Sequence, residues 1–114
     1  MNVTFKGGLA ALAVALSATT AFAQTPVKIG VLSDMSGPYS DFGGKGSLEA
    51  AKLAVEDFTA SSKKLAIEVV GADAQNKTDI SAGIARRWFD TENVDMVVDV
   101  PTSGIALGLA SLVK

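Results

Sequence analysis

The sequence predicts an α/β fold built on a doubly wound parallel sheet, and three observations carry that prediction. Three short β-branched runs alternate with three helical patterns between Val27 and Lys114. The strand-like runs are apolar nearly throughout, as strands covered on both faces are. Each run ends in a turn-rich stretch before the next helix begins. Right-handed crossovers then restrict the topology. With strand two on one side of strand one and strand three on the other, the first two helices fall on opposite faces. The strand order is then 2-1-3, with the switch point between strands one and three.

Residues 1–23 read as a signal peptide. Lys6 supplies a positive n-region, Gly7 to Ala18 is an almost uninterrupted apolar run, and Ala21-Phe22-Ala23 is a small-x-small cleavage site. A retained membrane anchor fits less well, because the run falls short of the roughly 20 residues a spanning helix needs and Ser17, Thr19 and Thr20 interrupt it. Cleavage is expected after Ala23, and nothing downstream has the composition of a membrane span. Residues 24–114 are expected to form one modest core and no second domain.

Val27 to Leu32 (VKIGVL) is the first predicted strand, followed by a long loop from Ser33 to Gly46 that contains Gly37-Pro38 and Gly43-Gly44. The first helix is predicted from about Gly46 to Thr59. Leu48, Ala51, Val55 and Phe58 form its apolar stripe, and Lys45, Glu49, Lys52 and Glu56 pair on its other side. Leu65 to Val70 (LAIEVV) is the second strand, expected to close at Gly71. Thr78 is expected to cap the second helix, with Asp79 complementing the dipole in its first turn and Ile80, Ile84 and Trp88 on its buried side. Asn93 breaks that helix. Asp95 to Val100 (DMVVDV) is the third strand, and Pro101 to Gly104 turns into a third helix, Ile105 to Lys114, apolar on nearly every side.

Composition removes several function classes. The chain has 10 Lys and Arg against 12 Asp and Glu, a net charge of −2, and Lys6 departs with the signal peptide. A mildly acidic surface without a clustered Lys/Arg field argues against nucleic acid or anionic lipid as partner. Cysteine and histidine are both absent. Thiol nucleophiles, His-based triads and Cys/His zinc sites are therefore excluded, and no cofactor is called for. The carboxylates stand singly, with no pairing that would mark one as acid and another as base. Binding is the more economical reading.

In a doubly wound sheet the ligand crevice opens beyond the carboxyl ends of the strands at the switch point. Ser33–Gly46 and Pro101–Gly104 line it here. Thr102 and Ser103 put two hydroxyls beside a helix N-terminus, where unpaired amides and the positive dipole end suit a carboxylate, and Gly104 leaves those amides sterically open. Either hydroxyl could serve as an N-cap alone, or cap and touch ligand as well. Tyr39 and Phe42 could both wall a pocket for an apolar side chain; Tyr39 could equally be buried, and Phe42 is expected instead to anchor its loop onto the first helix.

Other motifs fail on inspection. Gly43-Gly44-Lys45-Gly46-Ser47 lacks the glycine and the Ser/Thr that a Walker A loop places around its Gly-Lys pair. Asp99 could suggest a phospho-accepting aspartate, but strand one ends Leu32-Ser33-Asp34 without the acidic pair that would hold magnesium. Asn76-Lys77-Thr78 fits a glycosylation sequon, a pattern with a high chance rate.

KIGVLSDMSGPYSDFGGKGSLEAAKLAVEDF (Lys28 to Phe58), ADAQNKTDISAGIARRW (Ala72 to Trp88) and VDMVVDVPTSGIALGLASL (Val94 to Leu112) resemble the amino-terminal lobe of type I periplasmic solute-binding proteins, in particular the Leu/Ile/Val-binding receptors of branched-chain amino acid ABC transporters. The resemblance implies two α/β lobes closing around a small ligand that is delivered to a membrane permease. It implies ligand contacts from Tyr39 in the first loop and from Thr102 with Ser103 in the turn after strand three. The turn reads Val-Pro-Thr-Ser where amino acid receptors more often show a serine-rich turn, and Pro101 lacks an N–H donor, so the implied ligand class is small carboxylates, amino acids and aromatic acids alike.

The expected function is thus that of a periplasmic, non-enzymatic substrate-binding component of an ABC transporter. A ligand-sensing domain of a receptor or regulator, or an enzyme on the same sheet, are the alternatives. A three-stranded sheet with open edges and an all-round apolar last helix also reads as the N-terminal part of something larger, which alone would bind small acids weakly.

Overall fold

The computed structural model describes residues 23–113. The predicted signal peptide therefore lies outside the described residues, apart from Ala23. Six elements follow in the predicted alternation: β1 (Thr25–Ser33), α1 (Gly44–Ser61), β2 (Leu65–Asp73), α2 (Thr78–Asp90), β3 (Met96–Val98) and α3 (Ser103–Ala110). The strands form one parallel sheet in the order β2-β1-β3, the predicted order. β1 pairs along its whole length with β2, from Thr25 opposite Leu65 to Ser33 opposite Asp73, and its Ile29–Val31 segment pairs with β3.

Two glycines reveal which helix covers which face. A Cβ on Gly30 would lie 2.5 Å from Cζ3 of Trp88, so α2 packs flush on the face that carries Gly30. A Cβ on Gly71 would lie 2.7 Å from Cδ2 of Leu48, so α1 packs on the face that carries Gly71. Gly71 stands opposite Val31, the neighbour of Gly30, and successive strand residues point to opposite faces. Hence α1 and α2 cover opposite sides of the sheet. The main core lies on the α2 side, where Leu32, Ala74, Trp88, Val94 and Ile105 are buried together and Val70, Ala72, Val97 and Leu109 pack against them.

Several boundaries differ from the sequence reading. β2 runs through Gly71 to Asp73, because that glycine makes room for a helix side chain and does not turn the chain. β3 is only three residues long; Asp99 adopts φ 57° and takes the backbone out of the sheet before Pro101. Lys77, extended at φ −121° and ψ 125°, occupies the N-cap position of α2, and no side chain caps that end. Thr78 is instead the first helical residue. Its methyl group lies 3.2 Å from where a Gly108 Cβ would be, and its hydroxyl 4.0 Å from where a Gly104 Cβ would be. Both glycines of α3 thus face Thr78, which lets α3 approach the start of α2. Asp79 does sit in the first turn of α2, and Asn93 takes φ 55° just beyond its end. Helix α3 ends at Ala110, short of the predicted Lys114.

The stripe predicted for α1 is only half covered. Leu48, Ala51 and Val55 are partly buried, while Phe58 remains 43% exposed. On the other side of the sheet, an apolar groove of about 390 Å³ runs between β3, the end of α2 and α3, with Phe89, Val97, Val100 and Leu109 in its walls.

Candidate functional site

Parallel β1 and β3 are neighbours, so the loop after β1 and the turn after β3 leave the sheet at the same end. The loop after β1 is held by three polar residues at the carboxyl ends of β1 and β2. Asp34 has no solvent exposure; its Oδ1 accepts the Gly37 N–H at 2.7 Å and its Oδ2 the Tyr39 N–H at 2.9 Å. This is the Asx-type turn that an aspartate imposes on the residues following it. A Cβ on Gly37 would stand 2.5 Å from both carboxylate oxygens, so a side chain there would force the turn open.

Asp73 holds the same loop from β2. Its Oδ1 accepts from the backbone N–H groups of Met35 and Gln75, each at 2.9 Å, and its Oδ2 accepts the Ser36 hydroxyl at 2.6 Å. Burial works to raise the Asp73 pKa, and the hydrogen bonds from Ser36, Met35 and Gln75 outweigh it, so the carboxyl titrates below its ordinary 3.8. Gln75 and Asn76 both take φ 51° as the chain turns from β2 toward α2. The third residue is Ser33, buried, whose Oγ accepts the Gly44 N–H at 2.9 Å and fixes the start of α1.

Pinned at its base, the loop presents its two aromatic rings outward. Tyr39 is 40% exposed and Phe42 87% exposed, with ring centroids 6.3 Å apart and planes inclined at 50°. Phe42 therefore does not anchor the loop onto α1; hydrogen bonds to Asp34, Asp73 and Ser33 do that work instead. Carboxylate Asp34, engaged and without solvent access, is unsuited to act as an acid or base on a substrate.

In the turn after β3, Thr102 holds the N-cap position of α3 in extended geometry, at φ −118° and ψ 133°, and its side chain makes no capping bond. Its Oγ1 is buried without a hydrogen-bond partner among the described residues, and so is Oδ2 of Asp99. Ser103, exposed, begins the helix. The Thr102 carbonyl accepts the Ala106 N–H at 3.0 Å, while the amides of the first turn point outward with no helical acceptor.

One contact ties the two segments together. A Cβ on Gly43 would lie 3.3 Å from Asp99 Oδ2, 3.3 Å from Ser33 Oγ and 3.0 Å from Ser47 Oγ. The end of the first loop thus abuts the turn after β3. Tyr39 is bonded within its own loop, to Asp34 through its N–H and against the Phe42 ring. The 390 Å³ groove and a second groove of about 420 Å³, lined by Pro26, Lys28, Glu68 and Asn93 at the amino ends of the strands, both lie away from Tyr39, Thr102 and Ser103. The switch-point rim is an open surface with aromatic, hydroxyl and amide groups along it.

Residues 26–114 match the sequence profile of the family described as periplasmic binding protein. No curated protein matches the chain. Among solved structures, a branched-chain amino acid ABC transporter periplasmic ligand-binding protein from Burkholderia xenovorans is 47% identical with a TM-score of 0.71, over 76% of this chain and 23% of its own. A periplasmic binding protein from Burkholderia mallei is also 47% identical, with a TM-score of 0.70 over the same shares. The branched-chain amino acid transporter substrate-binding protein of Streptococcus pneumoniae, in complex with isoleucine, is 27% identical with a TM-score of 0.67, over 76% of this chain and 25% of its own. The chain spans about a quarter of the length of these structures.

Proposed function

The chain belongs to the periplasmic binding protein family, and from that premise we propose that it forms the first part of the ligand-binding lobe of an ABC transporter receptor, which captures a small carboxylate and delivers it to a membrane permease. Membership of the family implies a periplasmic location. Residues 1–23 serve as the export signal, and residues 24–114 as the start of the lobe.

The observation that carries this reading is the convergence of two loops at one end of the sheet, joined where Gly43 meets Asp99. The unpaired amides at the start of α3 and the positive end of its dipole receive the ligand carboxylate. Thr102 Oγ1, buried and uncommitted, donates to it, and Ser103 lies on the same turn. Tyr39 supplies an apolar wall with its ring and leaves its hydroxyl for a polar group. Branched-chain amino acids, other amino acids and aromatic acids all satisfy this chemistry. The site binds and releases; no described group is placed to act as nucleophile or general base on a bound acid.

The test is a thermal-shift screen of the intact protein against amino acids and aromatic acids, followed by calorimetry. A carboxylate that binds, with affinity reduced in Thr102→Val, supports the reading. Binding that needs no carboxylate, or that ignores Thr102, contradicts it. Export is checked by sequencing the amino terminus of the periplasmic form, expected to begin at Gln24.

A further inference from the structure

Cleavage after Ala23 makes Gln24 the first residue of the exported chain, and an amino-terminal glutamine carries its own electrophile. The nitrogen of the neutral α-amine can attack Cδ of the same residue: the N–Cδ bond forms, the Cδ–Nε2 bond breaks, and Nε2 leaves as ammonia with a proton from the amine. The product is a pyroglutamyl lactam, and the terminal charge is lost. No oxidant, metal or second reactant takes part. In the folded chain, however, that carboxamide is already engaged. Gln24 Nε2 donates to the Lys63 carbonyl at 2.9 Å, across 39 positions of sequence, and the adjoining Thr25 N–H donates to the Lys64 carbonyl at 3.1 Å. These two bonds open the seam that continues with Thr25 opposite Leu65. The acceptor is itself held by the end of α1, where the Ser62 N–H donates to the Phe58 carbonyl at 2.9 Å and Lys63 Nζ to the Thr59 carbonyl at 2.8 Å. Gln24 is otherwise exposed.

We propose that Gln24 is a fold-gated modification site: its carboxamide, seated on the Lys63 carbonyl, stays open with a free amine in the folded protein and cyclises to the lactam once the start of β1 detaches from the lead-in to β2. Closure draws Nε2 off Lys63 and carries Cδ back onto the amine, so each event waits on the opening of that seam. Donation from Nε2 also favours the amide resonance form in which Cδ is least open to attack. The proposal rests on the reading of residues 1–23 as the export signal, which is what places Gln24 first.

The experiment follows loss of one ammonia by intact-mass measurement, with blockage of amino-terminal sequencing as a second readout. The intact protein is released from a removable amino-terminal tag so that it begins at Gln24, and a peptide of residues 24–30 is incubated beside it in buffer and in urea. In buffer the folded protein should cyclise about threefold or more slowly than the peptide, the factor expected from one hydrogen bond that must open first. In urea the two rates should agree. Lys63→Ala keeps the carbonyl and should change the folded rate by less than about twofold, since exposed charges interact weakly. Equal rates for folded protein and peptide in buffer overturn the proposal. So does protection that persists in urea, or a rate governed by the Lys63 ammonium. Because the tag fixes the first residue, a periplasmic form that begins elsewhere than Gln24 counts against the export reading and not against this gating.

Discussion

Replacing Asp34 by alanine in the intact protein tests whether a single buried carboxylate shapes the loop after β1. Two backbone N–H groups, those of Gly37 and Tyr39, lose their acceptor, at 2.7 and 2.9 Å in the native loop. Hydrogen bonds to a charged group contribute roughly 1.5–3 kcal/mol each, and removing a carboxylate from a fully buried site recovers part of its desolvation cost, so the net loss should be about 2–4 kcal/mol. Urea unfolding reads the global part. Hydrogen exchange at Gly37 and Tyr39 reads the local part, and ligand affinity should fall because the Tyr39 ring is no longer aimed. Asp34→Asn offers one acceptor oxygen in place of two and should lose about half as much. A loss under about 0.5 kcal/mol, with both amides still protected, would mean that Asp34 does not shape the loop, since even one hydrogen bond to a charged group contributes roughly 1.5 kcal/mol or more.

Gly30→Ala should destabilise by about 1–3 kcal/mol in urea unfolding, because its Cβ would meet the Trp88 ring at 2.5 Å and that ring is only 2% exposed. Gly46→Ala, in α1 with nothing within 4 Å of the added methyl, should stabilise by about 0.5–1 kcal/mol and serves as the contrasting control. Asp73 has a folded-state pKa below its ordinary 3.8; the stability it contributes is therefore fully present above that value and lost as pH falls through the lower, folded-state value. Unfolding curves below pH 4 should accordingly be less steep in pH for Asp73→Asn than for the native protein, and identical pH profiles would contradict this.

The doubly wound order was readable from the chain because handedness leaves little choice once strands and helices alternate. What the sequence did not reveal was whatever depends on a distant partner. Gly71 resembles a strand terminator until Leu48, 23 positions earlier, is seen to occupy the space above it. Phe42 looks like a loop anchor by composition, yet the anchors are Asp34, Asp73 and Ser33, and the bond from Met35 to Asp73 spans 38 positions. Asp34 alone was within reach of local reasoning, since an aspartate three residues before a glycine is an Asx-turn signal. The third strand ended early for a reason no propensity scale carries, the left-handed backbone at Asp99. Thr102 and Ser103 were legible as the turn into the third helix, and the structure adds that the Thr102 hydroxyl is buried and does not cap that helix.

A crystal structure of the intact protein with a bound small carboxylate would locate the ligand outright. Its carboxylate oxygens should lie about 2.7–3.2 Å from the first amides of α3 and from Thr102 Oγ1, with the body of the ligand against Tyr39. A ligand seated at the amino ends of the strands, beside Pro26 and Asn93, would contradict this placement.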